Sequence, residues 1–382
     1  MRFAEVIGQE EIKHQLLQSV AENRIAHAQM FYGPRGVGKL QLALAYAQYL
    51  ACQNPTAEDS CGVCPACLQY QKLQHPDLHL VFPIVKNDKS DICDTYINQF
   101  RELCIRKKYF QLDDWYAALG SENKQGLIYE NESSEILRKL SLKSFGNGYR
   151  VVIIWLPEKM NEVSANKMLK ILEEPPEKTL FLLVSEQPER LLPTILSRVQ
   201  QRHVPRLTDR QVVEALLGSY PNLSVSDADS IAHIANGSYL AATQIIDEDN
   251  DNNVYLEYFE SLMNNAIAIG QDRTKYEALI QLRTWSDKMA ALTREQQKNM
   301  LAYAQRLLRE FFVSHYAISK LNYLYPKEQA LAQRLARYIS TNNVELLMNK
   351  FDSAQRQIEQ NGNSRIVFFD LALQIIVYLK KA

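Results

Sequence analysis

No run of apolar residues in this 382-residue chain approaches the roughly 20 that a bilayer-spanning helix needs. The most apolar stretch, Ile366–Leu379, is interrupted by Asp370 and Gln374 and predicts a buried helix. The opening M-R-F-A-E-V-I-G-Q-E-E lacks the apolar core of a secretory signal. Neither sign of charge is in excess: 43 Lys and Arg stand against 44 Asp and Glu, a net charge of −1. A chain that grips nucleic acid alone is usually more basic, so strong autonomous DNA binding is not expected. There is no internal repeat. With only six cysteines and no export signal, thiols or metal ligands are expected before disulfides. These absences predict a cytoplasmic chain with no membrane contact. Its length allows two or three domains, and 46% hydrophobic with 23% charged residues is ordinary globular composition.

What is present is strand-helix alternation in the first half. Residues 9–24 carry Ile12, Leu16, Leu17 and Val20 at helical spacing. Ala28–Tyr32 reads as a strand and Leu42–Leu50 as an alanine-rich helix. A cysteine cluster over 52–67, then His75-Pro76-Asp77 and a strand over Leu78–Phe82, come next. Alternation resumes with a helix near 131–143, a turn at Gly146-Asn147-Gly148 and a strand over Tyr149–Trp155. A helix over 162–174 is stopped by Pro175-Pro176, and Leu180–Val184 and a helix near 189–197 complete the unit. This order predicts an α/β core, a mostly parallel sheet flanked by helices. Residues 86–127, polar and aromatic with Cys93, Cys104, Trp115 and Tyr116, have patchy periodicity and read as an insertion. Beyond Leu207 strands almost vanish. Residues 208–247 predict a small helical domain, Asp247–Asn253 a surface linker, and 254–382 long amphipathic helices.

Residues 33–39 read G-P-R-G-V-G-K, the phosphate-loop pattern G-x-x-x-x-G-K, between a predicted strand and a predicted helix. Backbone N–H groups of such a loop surround phosphate oxygens. Gly33, Gly36, Gly38 and Lys39 are therefore the nucleotide-binding candidates, with Lys39 reaching the terminal phosphates. A glycine-rich turn without a ligand is the bland alternative. Pattern and context favour a nucleotide loop by ancestry, and whether ATP or ADP is still bound stays open. Two parts of the chemistry are missing. Leu40 stands where a hydroxyl normally ligates Mg²⁺, and Val151–Ile154 runs into Trp155-Leu156 where acidic residues normally hold the metal. No Mg²⁺ site and no competent hydrolysis are expected.

Cys52, Cys61, Cys64 and Cys67 give C-x8-C-x2-C-x2-C. Four thiolates fill a tetrahedral Zn²⁺ shell and leave no open position, so a structural site is expected. Gly62 and Pro65 between the ligands suit a tight knuckle. A redox pair at Cys64-x2-Cys67 and a set of unrelated thiols are the rivals. Cys93 and Cys104 read as plain thiols. Arg198 closes L-P-T-I-L-S-R at 192–198, where an arginine is ordinarily just solvated.

Taken in order, F-A-E-V-I-G-Q-E at 3–10, R-I-A-H-A at 24–28, the glycine loop, the four cysteines with H-P-D at 75–77, A-N-K-M-L-K-I-L-E-E-P-P at 165–176 and L-P-T-I-L-S-R at 192–198 resemble a known family. It is the AAA+ clamp-loader family of bacterial DNA polymerase III, and within it the delta-prime type. The resemblance covers about the first 245 residues. It implies an AAA+ core over 1–206 with a zinc knuckle at 52–67 and an insertion at about 86–127. A small helical lid over 207–250 and an all-α collar for oligomerisation over 251–382 would follow. It further implies a hetero-pentameric ring with motor subunits (gamma or tau) and delta, which opens the sliding clamp and places it on primed DNA. A delta-prime subunit is a stator, not an enzyme on its own, and belongs to the polymerase only through the complex. Arg198 matches the arginine finger it offers in trans to a neighbour's ATP, an interaction worth about 10³–10⁵ in rate. The family often has S-R-C there, and this chain has Val199. Leu240, in G-S-Y-L-A-A at 237–242, stands where motor relatives carry a sensor arginine. The alternative is an active ATPase motor subunit. An unrelated zinc-dependent nucleic-acid-binding module is disfavoured by the near-neutral charge.

Overall fold

Five short strands lie side by side in one parallel sheet: β1 (Ala28–Tyr32), β2 (Leu78–Val81), β3 (Arg150–Trp155), β4 (Thr179–Ser185) and β5 (Gln200–His203). Their order is β2-β3-β4-β1-β5. The computed structural model describes residues 1–86, 92–121, 126–141, 144–145, 148–247, 249–270, 275–316, 323–360 and 362–380. They divide into two units, Met1–Thr243 and Gln244–Ala382. The inner strands of the sheet are almost continuously apolar because helices cover both faces, so β3 is buried from Val151 to Trp155 and β4 throughout. Register sets Tyr32 opposite Ser185 and Trp155 opposite Val184. The glycine loop, Trp155 and Ser185 therefore share the carboxyl edge of the sheet, the edge where open parallel sheets bind ligands.

The flanking helices of the first unit begin with α1 (Glu10–Ala21), α2 (Lys39–Ala51) and α3 (Pro65–Gln71). Helix α2 starts three residues earlier than the apolar pattern suggested, because Gly38 at φ +94° turns the chain directly into the helix at Lys39. Helices α6 (Glu130–Ser141) and α7 (Glu162–Glu173) match the expected positions. The Asn161 side chain caps α7 by accepting from the Ser164 N–H at 2.8 Å. The helix expected near 189–197 is shorter: a 3₁₀ turn over Pro188–Arg190 and a four-residue α8 (Pro193–Leu196). Strand β5 was not anticipated. Its residues Gln200, Gln201, Arg202 and His203 are polar, and it pairs with β1 on one side only, so apolar alternation is absent.

The insertion is more regular than its sequence suggested. It contains α4 (Ile97–Arg106) and α5 (Leu112–Ala118). Its residues 87–91 and 122–125, like Gly146-Asn147 of the expected turn, lie outside the described residues. Phe100 of α4 stacks on Phe82 at 4.0 Å, and its ring centroid is 5.2 Å from that of Trp115 of α5. The Trp115 indole N–H donates to the Pro83 carbonyl at 2.7 Å. Cys93 is buried, and its thiol donates to the Phe82 carbonyl at 3.2 Å. Helices α9 (Asp209–Ser219), α10 (Val225–Ala235) and α11 (Tyr239–Asp247) follow the sheet.

The second unit is helical among its described residues: α12 (Asp249–Gly270), α13 (Lys275–Ala291), α14 (Arg294–Ser314), α15 (Pro326–Leu335), α16 (Val344–Glu359) and α17 (Ser364–Leu379). The linker expected over Asp247–Asn253 is instead the end of α11 and the start of α12, with position 248 outside the described residues. The core gathers Phe259, Trp285, Phe311, Phe351 and Phe368. Helix α17 is not buried all round: Val367, Phe368, Leu371 and Ile375 face inward, while Ile366, Leu373 and Val377 form an exposed apolar stripe. The apolar run concealed that stripe, since both faces of the helix are aliphatic.

Trp115→Ala should destabilise the sheet unit by about 3–5 kcal/mol, since it opens a cavity in an aromatic core and strands the Pro83 carbonyl. A urea titration should show the first unit melting earlier. An unchanged midpoint would mean that the insertion does not stiffen the core.

Candidate functional site

The glycine loop leaves β1 and is folded tightly by its own neighbours. A Cβ on Gly33 would lie 2.2 Å from the Val204 carbonyl oxygen. On Gly36, at φ +73°, it would lie 2.2 Å from Ser238 Oγ and 2.7 Å from Leu240 Cβ. The Tyr239 N–H donates to the Gly36 carbonyl at 3.1 Å. The Tyr109 ring of the insertion packs beside Gly38 and edge-on to Tyr239, with ring centroids 4.9 Å apart. Close approach within the chain thus already demands glycine at 33 and 36. Leu240 does lie against the loop, and it brings no charge there.

Lys39, at the first turn of α2, is only 5% exposed. Its ammonium donates to the Gly33 carbonyl at 2.8 Å and to the Pro34 carbonyl. Burial lowers its pKa to about 8, against the opposing pull of Glu186 and Glu158. Leu40 points into the core. Gln9, in the left-handed region at φ 64°, ties the loop to β5's exit by donating to Val37 at 3.2 Å and Pro205 at 2.9 Å. Its Oε1 is buried without a hydrogen-bond partner. Gly33, Gly36, Gly38 and Lys39 are brought together at the start of α2, with the Lys39 ammonium taken up by two carbonyls of the loop.

The other side of the edge is apolar. Trp155 is 5% exposed, with its ring centroid 5.1 Å from that of Phe110 and 5.7 Å from that of Phe100. The carboxylates nearest to this edge were not anticipated. Glu158 accepts from Ser185 Oγ at 2.9 Å, the Glu186 N–H at 2.9 Å and the Gln187 N–H at 3.2 Å, so both its oxygens are engaged. Glu186 pairs with Arg35 at 2.6 Å. Glu158 sits in a 3₁₀ turn over Pro157–Lys159 and Glu186 just past the end of β4, where no motif marks them.

Arg198 follows α8. Its Nε donates to Glu173, the last residue of α7, at 2.7 Å, and its Nη1 donates to the Thr194 carbonyl at 2.8 Å. The side chain is 34% exposed. It lies partly exposed, held by the Glu173 carboxylate.

Cys52, Cys61, Cys64 and Cys67 converge from the end of α2 and the start of α3, with all four Sγ atoms within 4.8 Å of one another. Cys61 Sγ and Cys67 Sγ are 3.9 Å apart, close to the roughly 3.8 Å edge of a tetrahedron with 2.3 Å Zn–S bonds. Backbone N–H groups point at the sulfurs: Cys61 N to Cys52 Sγ at 3.2 Å and Cys64 N to Cys61 Sγ at 3.4 Å. N–H groups of Val63 and Cys64 lower the Cys61 pKa to about 6, whereas burial pushes the Cys52 and Cys67 thiols up. A cation is what would hold four thiolates together at neutral pH.

Residues 8–208, more than half of the chain, match the family model described as DNA polymerase III, delta subunit. A DNA polymerase III subunit tau/gamma from Haemophilus influenzae is 25% identical over 374 residues, covering 95% of this chain and 48% of that protein. A DNA polymerase III subunit delta' from Pseudomonas aeruginosa is 31% identical over 159 residues, 42% of this chain and 37% of that protein. The delta' of Yersinia pestis is 32% identical over 171 residues, 44% of this chain and 38% of that protein. The chain thus spans less than half the length of each of these relatives.

Gly36→Ala should destabilise the sheet unit by roughly 1–3 kcal/mol through positive φ and contact with Ser238. Arg198→Ala should change stability by less than about 1 kcal/mol, as for an exposed ion pair. Thermal unfolding of both variants checks this. A large loss in the second would make Arg198 a folding residue.

Proposed function

The chain belongs to the DNA polymerase III delta subunit family of clamp-loader subunits, and on that premise we propose that it is the non-hydrolysing stator of a replicative clamp loader. In this reading it assembles with motor subunits (gamma or tau) and delta in a five-membered ring that loads the sliding clamp on primed DNA. The observation that carries the reading is the filling of the carboxyl edge. Where a carboxylate would hold the metal of ATP hydrolysis, Trp155 is packed against Phe100 and Phe110. Leu40 takes the place of the second metal contact and faces the core. Gly33, Gly36, Gly38 and Lys39 would hold the phosphates of any nucleotide that binds, without the groups that activate water.

Arg198 is the residue assigned to catalysis, and it acts on a neighbour's nucleotide. In the isolated chain Glu173 holds the guanidinium. In the ring it would exchange that carboxylate for a γ-phosphate, whose greater charge favours the exchange as it develops in the transition state. Residues 207–250 would serve as the lid and 251–382 as the collar. Exposed Ile366, Leu373 and Val377 on α17, with Tyr276, Leu279 and Ile280 on α13, support a subunit contact for the collar, because apolar stripes of this kind are what an obligate interface covers. Cys52, Cys61, Cys64 and Cys67 would hold one Zn²⁺, whose role is to join α2 to α3 and stabilise the fold.

Two outcomes test this reading. Arg198→Ala in the reconstituted loader should slow turnover at the site it faces by about 10³-fold or more, lowering clamp- and DNA-stimulated ATP hydrolysis. Equal turnover would remove the finger role. Hydrolysis by the isolated chain would favour the motor reading that tau/gamma relatives keep in view. Removing zinc with a chelator should lower the melting temperature and release one metal per chain. Because metal binding requires thiolates, that stability is present at neutral pH and is lost as protons compete at falling pH. Cys64→Ser with full zinc content would argue against the ligand set.

A further inference from the structure

A groove of about 530 Å³ opens on the sheet unit between the cysteine knuckle, the end of α3 and helix α4 of the insertion. None of the glycine-loop residues lines it. Its floor is apolar and buried: Leu44, Tyr70 and Leu73. Its two rims carry aliphatic side chains turned out to solvent, Val63 of the knuckle at 76% exposure and Ile105 of α4 at 56%. Arg101 fixes the α4 rim in place by donating its Nε–H to the Leu73 carbonyl at 2.7 Å. Exposed aliphatic groups on both lips of a concave apolar floor are what a docking surface leaves uncovered in the free protein.

Charge identifies the kind of occupant. One end of the groove holds Arg2 and Lys108 with a single carboxylate, Glu5. Lys108 pairs with Glu5 at 3.1 Å. The Arg2 side chain lies across Gly62, where a Cβ would be 3.1 Å from its Cδ, and it makes no ion pair among the described residues. That end therefore presents the Arg2 guanidinium, which has no carboxylate partner among the described residues, beside an aliphatic slot. No exposed aromatic ring lines the groove, so bases of a single-stranded nucleic acid would find no stacking platform. We infer that the groove docks an acidic peptide segment of a partner protein, with carboxylates against Arg2 and Lys108 and an aliphatic side chain between Val63 and Ile105. The inference is independent of the stator reading, since it uses neither the glycine loop nor Arg198.

The test is fluorescence anisotropy on the full chain with zinc present and a fluorescein-labelled peptide of four aspartates followed by two leucines, at low salt. Saturable binding is expected. Arg2→Ala with Lys108→Ala should weaken it about tenfold, as should Ile105→Ser, and Val63→Ser tests the opposite lip. All four side chains lie at the surface, so circular dichroism and zinc content should be unchanged. Replacing the aspartates by asparagine, or the leucines by serine, should weaken binding to a similar degree, and Arg198→Ala should leave it unchanged. No saturable binding, or equal binding by the variants, overturns the proposal. So would Ile105-dependent binding of an oligodeoxythymidine in place of the peptide, or Ile105-dependent self-association in the ultracentrifuge.

Discussion

The contact on which the first unit depends is the packing of Trp155 at the end of β3. A parallel sheet concentrates its chemistry at the carboxyl edge, because strand ends, loop amides and helix starts converge there. In this chain that edge is half polar and half aromatic. The glycine loop and Lys39 occupy the polar half. Trp155, Phe100, Phe110 and Phe82 occupy the other, and helices α4 and α5 exist to cover it. A buried aromatic cluster tolerates no unpaired carboxylate and no hydrated cation without a large desolvation cost. On the proposed function, the same side chains that stabilise the sheet would exclude the metal-dependent half of a nucleotidase site.

What could be read from the residues was what is local. The strand, glycine loop and helix are consecutive, so their pattern sits in one short window. The burial of Leu40, Trp155 and Leu156 fits the apolar runs in which they stand. The cysteine knuckle was legible because its ligand spacing is short and its ligand type is rare. The folding of the insertion over Trp155 was not, because it depends on contacts between segments distant in sequence. Strand β5 was hidden by its polar edge residues. Glu158 and Glu186 were hidden by lying just past the ends of β3 and β4, in short segments with no motif. The outer stripe of α17 was invisible because an apolar run does not say which of its faces is covered.

Two ion pairs of similar geometry have different meanings here. Arg35 and Glu186 brace the glycine loop against the end of β4. Arg198 and Glu173 tie the end of α7 to the residues after α8, where Arg198 also donates to the Thr194 carbonyl. The knuckle and α4 add a surface of a third kind, with aliphatic lips and the Arg2 guanidinium at one end.

On the proposed function, this chain's own glycine loop contributes nothing to catalysis. The measurement is clamp- and DNA-stimulated ATP turnover by the reconstituted loader in which only this chain carries Lys39→Ala. Turnover equal to that of the wild-type assembly is expected. A marked fall, with the ring still assembled, would mean that the loop acts on ATP directly and that the chain is a motor rather than a stator.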